Sequence, residues 1–92
     1  MIACDDTCCR IAGAVTVDSV GSLLRELQPQ LARGVDTLDF SKVETVDSAA
    51  LALMFSAMRQ VRQANRTLTF TGLPPSFTTL AELYGVSDLL PT

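Results

Sequence analysis

The stretch Val43-Glu44-Thr45-Val46-Asp47-Ser48-Ala49-Ala50-Leu51-Ala52-Leu53-Met54 decides the fold. A strand-like run over residues 43–46 meets a short polar turn, Asp47-Ser48, which opens a strongly apolar helix. That order puts a small hydroxyl at a helix N-terminus, where several backbone N–H groups have no partner within the helix. Such a position suits a cap, a partner contact or a phosphate.

Upstream of this stretch, residues 35–40 read as a strand, with Leu38 and Phe40 on one face and Asp39 opposite. Residues 8–15 form an earlier strand, with Cys9, Ile11 and Gly13 on a common face. Residues 1–4 fit a short edge strand, and residues 1–7 are otherwise a tail. Between the two longer strands, Asp18 or Ser19 caps a helix whose stripe is Val20, Leu23, Leu24, Leu27 and Leu31. Pro29 conflicts with that helix. In a helix interior proline removes a hydrogen bond and clashes one turn back, at about 3 kcal/mol, so a kink or break is expected near residues 25–27. Gly34 is the expected stop.

Downstream, the helix after the turn runs to about residue 65, roughly 25 Å. Residues 67–71 alternate with Leu68 and Phe70 inward, and Gly72-Leu73-Pro74-Pro75 breaks the strand. A last helix begins at Pro75 or Ser76, with Phe77, Leu80, Ala81 and Tyr84 as its core stripe and Gly85 as its end. Residues 86–90 form a short apolar tail that can pack back. Strand, helix, strand, helix, strand, helix implies a mostly parallel sheet with crossover helices.

The middle helix is apolar over too wide an arc. Placed at about 100° per residue, Ala50, Leu51, Leu53, Met54, Phe55, Ala57, Met58, Val61 and Ala64 span roughly 200°. A helix lying on a sheet needs a stripe little over 100° wide. Either neighbouring elements cover the margins near Leu53 and Phe55, or those margins and the preceding turn form a docking surface.

Composition narrows the function classes. Ninety-two residues make one small domain. Its 48% hydrophobic content is high for that size and points to a partner surface. No apolar run approaches the roughly 20 residues of a membrane span. Asp5 and Asp6 stand where the apolar part of a signal peptide would begin, so the expected place is the cytosol, or a membrane complex reached through another subunit. A net charge of −3 and only five aromatic residues argue against nucleic acid. Cys4, Cys8 and Cys9 are an odd, clustered set without a histidine anywhere in the chain. They read as buried or idle reduced thiols, not a disulfide framework or a metal site.

Enzymatic readings are weak. Without histidine a Ser-His-Asp site is excluded, and no G-x-x-x-x-G-K-S/T loop is present. Asp36 and Asp39 fall on opposite faces of a strand and make no acid/base pair. The chain reads as a binding module with no cofactor. Ser48 keeps three roles at this point: a plain N-cap, which Asp47 could also fill, a phosphoacceptor, or a compact polar contact with a partner.

The runs Thr37-Leu38-Asp39-Phe40-Ser41-Lys42-Val43 and Val46-Asp47-Ser48-Ala49-Ala50-Leu51-Ala52-Leu53 resemble the STAS domain. That family includes anti-sigma factor antagonists and the C-terminal domains of sulfate transporters. The resemblance runs from about Cys8 to the end and implies an α/β fold, a single STAS-like domain over residues 1–92, with a small mixed, mostly parallel sheet and helices packed on one side. Within the family three segments are most similar to the small cytoplasmic subunit of a phospholipid-transporting ABC complex of Gram-negative bacteria. They are Asp47-Ser48-Ala49-Ala50-Leu51-Ala52-Leu53, Leu68-Thr69-Phe70-Thr71-Gly72, and Thr79-Leu80-Ala81-Glu82-Leu83-Tyr84-Gly85-Val86 with Leu90-Pro91.

The resemblance implies a non-catalytic subunit, peripheral to the inner membrane, that binds and stabilises an ABC ATPase subunit. Through the ATPase it would join a permease complex that maintains outer-membrane lipid asymmetry. The implied partner-binding residues are Thr45, Asp47, Ser48, Ala49, Ala50 and Leu53, with Phe55 as a further apolar contact. The alternative is an anti-sigma factor antagonist whose Ser48 is phosphorylated by an anti-sigma serine kinase. Antagonists usually carry glycine where this chain has Ala50, which continues a helix better by about 1 kcal/mol. That departure favours the transport subunit.

Overall fold

Alternating apolar residues in the strands and apolar stripes on the helices leave one way to bury both: a sheet covered on one face. The computed structural model describes residues 1–86. Its elements are β1 (Ile2–Cys4), β2 (Cys8–Val15), α1 (Val20–Arg33), β3 (Thr37–Val46), α2 (Ser48–Gln63), β4 (Thr69–Thr71) and α3 (Pro75–Leu83). The strands lie in the order β1-β2-β3-β4. β1 is antiparallel to β2, while β2, β3 and β4 are parallel.

Cys9, Ile11 and Val15 of β2, Leu38, Phe40 and Val43 of β3, and Phe70 of β4 face the core. Arg10, Thr69 and Thr71 on the other face are exposed. Phe40 is the centre of the packing. It meets Phe70 and Phe77 edge-to-face, at centroid distances of 6.0 and 5.9 Å, so one ring joins β3, β4 and α3. On the uncovered face, the Ser41 backbone N–H donates to Asp39 Oδ1 at 2.8 Å and holds that carboxyl below its usual range. Gly72 packs against the same corner with φ +67°. A Cβ there would lie 2.7 Å from Ser41 N, so only glycine fits.

Several sequence expectations need correction. Pro29 does not break α1, which is one helix through Arg33. Pro29 and Arg25 face solvent, so water can reach the carbonyl that loses its partner, while Leu23, Leu27 and Leu31 hold the opposite side in the core. Gln60 Nε2 of α2 also donates to Gln28 O at 2.9 Å beside the proline. Ser19 occupies the N-cap of α1, yet its hydroxyl bonds to no helix N–H. β3 begins at Thr37, not at residue 35, and continues unbroken to Val46, absorbing the strand-like run before the turn. Val35 is buried in the loop ahead of it.

Cys4 and Cys9 form a disulfide, against the expectation of reduced thiols. The β1–β2 register sets them directly opposite each other. Cys8 is free and half-buried, and burial pushes its thiol up. Tyr84 is 59% exposed and not a core residue, because α3 ends at Leu83 and Tyr84 lies past its last turn. Ala64 is likewise exposed at the C-cap of α2. Val86 packs partly on the core, and the rest of the expected tail, residues 87–90, lies outside the described residues.

Candidate functional site

Parallel pairing sets the C-terminal ends of β2 and β3 side by side, with Val15 opposite Val46. Both chains turn there into helices. The edge therefore carries two strand–helix turns, residues 16–19 and the Asp47-Ser48 turn, and open α/β sheets commonly bind their ligands at this edge.

Asp47 organises it. As the N-cap of α2 its Oδ1 accepts from the Ala49 N–H at 2.8 Å. Its Oδ2 accepts from the Val17 N–H at 3.1 Å, which fastens the β2–α1 turn to the start of α2. Its own N–H donates to Val15 O at 3.3 Å. Both carboxylate oxygens are thus engaged by backbone donors. Capping falls to Asp47, so Ser48 is the first helical residue, exposed, and its hydroxyl has no hydrogen-bond partner among the described residues. The plain N-cap reading of Ser48 is set aside.

The remaining residues of the predicted site divide. Thr45, three residues before Ser48 in β3, is exposed, and Ala49 is half-buried. Ala50 and Leu53 are 0% exposed and belong to the core. The wide apolar arc of α2 is explained at Leu53 by burial, since α2 is the middle helix and packs against both α1 and α3. Phe55 stays half-exposed on the margin.

Two surface residues were not foreseen. Val17 is 73% exposed although apolar, and it sits in the turn that Asp47 holds. Ala52, one helical turn after Ser48, is exposed on the same side. Ala52 was legible from spacing. Val17 could be found only from the parallel pairing, which brings the two turns to one edge. Val17, Thr45, Ser48 and Ala52 are exposed uncharged residues at this edge, with the Asp47 carboxylate between the two turns and exposed Asp18 and Glu44 adjoining them in sequence. With Asp47 engaged and no histidine in the chain, no described side chain is placed to take a proton from Ser48. The arrangement suits contact.

Comparison with known proteins bears on the family and the fold. The family described as "Mlab, STAS domain" matches residues 3–91. The intermembrane phospholipid transport system binding protein MlaB of Escherichia coli (strain K12) is 30% identical over 69 residues, covering 74% of this chain and 71% of that protein. The protein of the same name in Shigella flexneri matches equally. The solved structure of the anti-sigma factor antagonist SpoIIAA in its unphosphorylated form superposes with a TM-score of 0.71 at 17% identity, covering 96% of this chain and 82% of that one. That likeness concerns the fold. The family match spans nearly the whole chain, and the chain belongs to the MlaB-type STAS domain family.

Proposed function

We propose that this protein is a non-catalytic subunit of an ABC-type phospholipid transporter, and that it docks on the ATPase subunit through the Val17–Thr45–Ser48–Ala52 surface. Docking stabilises the ATPase and supports its activity. The protein then sits in the cytoplasm, peripheral to the inner membrane, and its complex maintains outer-membrane lipid asymmetry. The observation that carries this reading is the division of labour in the turn. Asp47 does the capping, which leaves Ser48 exposed with a free hydroxyl. The names of its relatives supply the transport system. Small residues at Ser48 and Ala49 allow close backbone approach, while Ala50 and Leu53 support the surface from beneath. No helix among the described residues is long and apolar enough to cross a membrane.

The same free hydroxyl keeps a second reading. An exposed serine at a helix N-terminus is a reachable phosphoacceptor, as the antagonist alternative requires. Purification of the tagged protein from gently extracted membranes of its own host separates the two. Recovery of an ABC ATPase with its permease supports the transport subunit. Recovery of a soluble serine kinase, with phosphate on the Ser48 peptide by mass spectrometry after incubation with ATP, replaces it with the antagonist.

A further inference from the structure

Ser48, Ala52, Phe55, Arg59 and Arg62 follow one another at alternating spacings of four and three, so they form a single stripe down α2. Its first part is the docking surface proposed above. Its second part changes character. Phe55, Met58, Arg59 and Arg62 line a shallow groove of about 260 Å³. Met58 and Arg62 continue it into a second hollow of about 350 Å³, bounded by Arg66, Thr67 and Leu68.

The charge here is one-sided. The chain has ten acidic and seven basic residues, yet α2 has no acidic residue at all. Arg59 and Arg62 are exposed, and among the described residues neither makes an ion pair or a hydrogen bond. Arg66 differs. Its guanidinium donates to the carbonyls of Leu31 and Val35 and is part of the fold. Two guanidinium groups without a partner among the described residues therefore stand beside half-exposed Phe55 and Met58, in a protein that is net acidic. Guanidinium groups pair with carboxylates in a two-pronged geometry, and the neighbouring apolar side chains ask for apolar groups at the same spacing.

We infer that this groove receives an acidic, apolar-faced segment of the docked ATPase. Its carboxylates would pair with Arg59 and Arg62, and its apolar side chains would rest on Phe55 and Met58. This inference rests on the docking reading. It extends the interface from the first turn of α2 to its whole length, and it gives association a dependence on salt carried by Arg59 and Arg62.

The test is a titration of the full-length protein against the purified ATPase subunit of its host's phospholipid ABC transporter. Wild type, Arg59→Glu/Arg62→Glu and Arg59→Lys/Arg62→Lys are compared at about 0.05 and 0.5 M salt. Circular dichroism shows that each variant is folded. Charge reversal is expected to weaken binding at low salt about tenfold or more, and to abolish most of the salt dependence. The lysine pair should lose much less. Charge reversal that leaves affinity within about twofold overturns the groove while the docking surface stands. A wild type that does not bind the ATPase overturns both. Loss of sedimentation with phosphatidylglycerol vesicles, at unchanged ATPase affinity, overturns the groove in favour of a lipid surface.

Discussion

The two strand–helix turns at the C-terminal edge of the sheet hold a serine each, and the two serines do opposite things. In the β2–α1 turn, the Ser19 hydroxyl accepts from the Thr16 N–H at 3.0 Å and donates to Ala14 O at 2.9 Å. It is used up in holding its own turn. In the β3–α2 turn Asp47 does the holding, and it reaches across to hold the first turn as well. Ser48 is thereby left free. Residue type and position relative to the helix are nearly the same, so neither explains the difference. What explains it is whether a neighbouring residue already satisfies the backbone donors. A polar side chain at a helix start is a candidate for function when the fold does not need it.

Four substitutions break or sharpen this contrast through stability, measured by chemical denaturation. Leu53→Asp has the largest expected effect. It places an unpaired charge in the core and should cost at least about 4 kcal/mol, enough to leave little of a small domain folded. A folded, stable Leu53→Asp protein would return Leu53 to the surface, as the partner-binding role implied by the resemblance requires. Asp47→Ala should cost about 2 kcal/mol, because it removes a charged cap and the tie to Val17 together. Ser19→Ala should cost about 1 kcal/mol, since it leaves the backbone groups of its turn without their partner. Ser48→Ala should change stability by less than about 0.5 kcal/mol. If Ser48→Ala proved as costly as Ser19→Ala, the two turns would be alike and the contrast would fall.

Much of the fold was legible. Period-two and helical spacing placed the long strands and all three helices, and Gly34 marked the end of α1 where φ reaches +128°. Two of the misreadings share a cause: each turned on what lies across the structure from a residue. Pro29 is tolerated because its damaged side faces water while Leu27 and Leu31 anchor the other. Cys4 and Cys9 pair because a turn over residues 5–7 fixes the hairpin register. Spacing along the chain does not encode these facts.

The candidate site was legible in part for the same reason. The Asp47-Ser48 turn stood out as a strand-to-helix junction, and Thr45 and Ala49 came with it. The wide arc of α2 raised the right question, but only packing against α1 and α3 shows Leu53 covered and Phe55 on the margin. Val17 lies 30 residues from its hydrogen-bond partner Asp47 and joins the surface through the sheet.

The central claim is that Ser48 is free for contact and not needed for folding. Ser48→Glu tests it most directly, because a carboxylate in the first turn of a helix is mildly favourable to folding. Its affinity for the ATPase subunit is measured by titration beside Ser48→Ala and wild type. Ser48→Glu is expected to be as stable as wild type yet to bind at least about tenfold more weakly, by burying an unpaired charge, while Ser48→Ala binds within a few-fold. A Ser48→Glu protein that binds as tightly as wild type would contradict that claim and move the interface elsewhere.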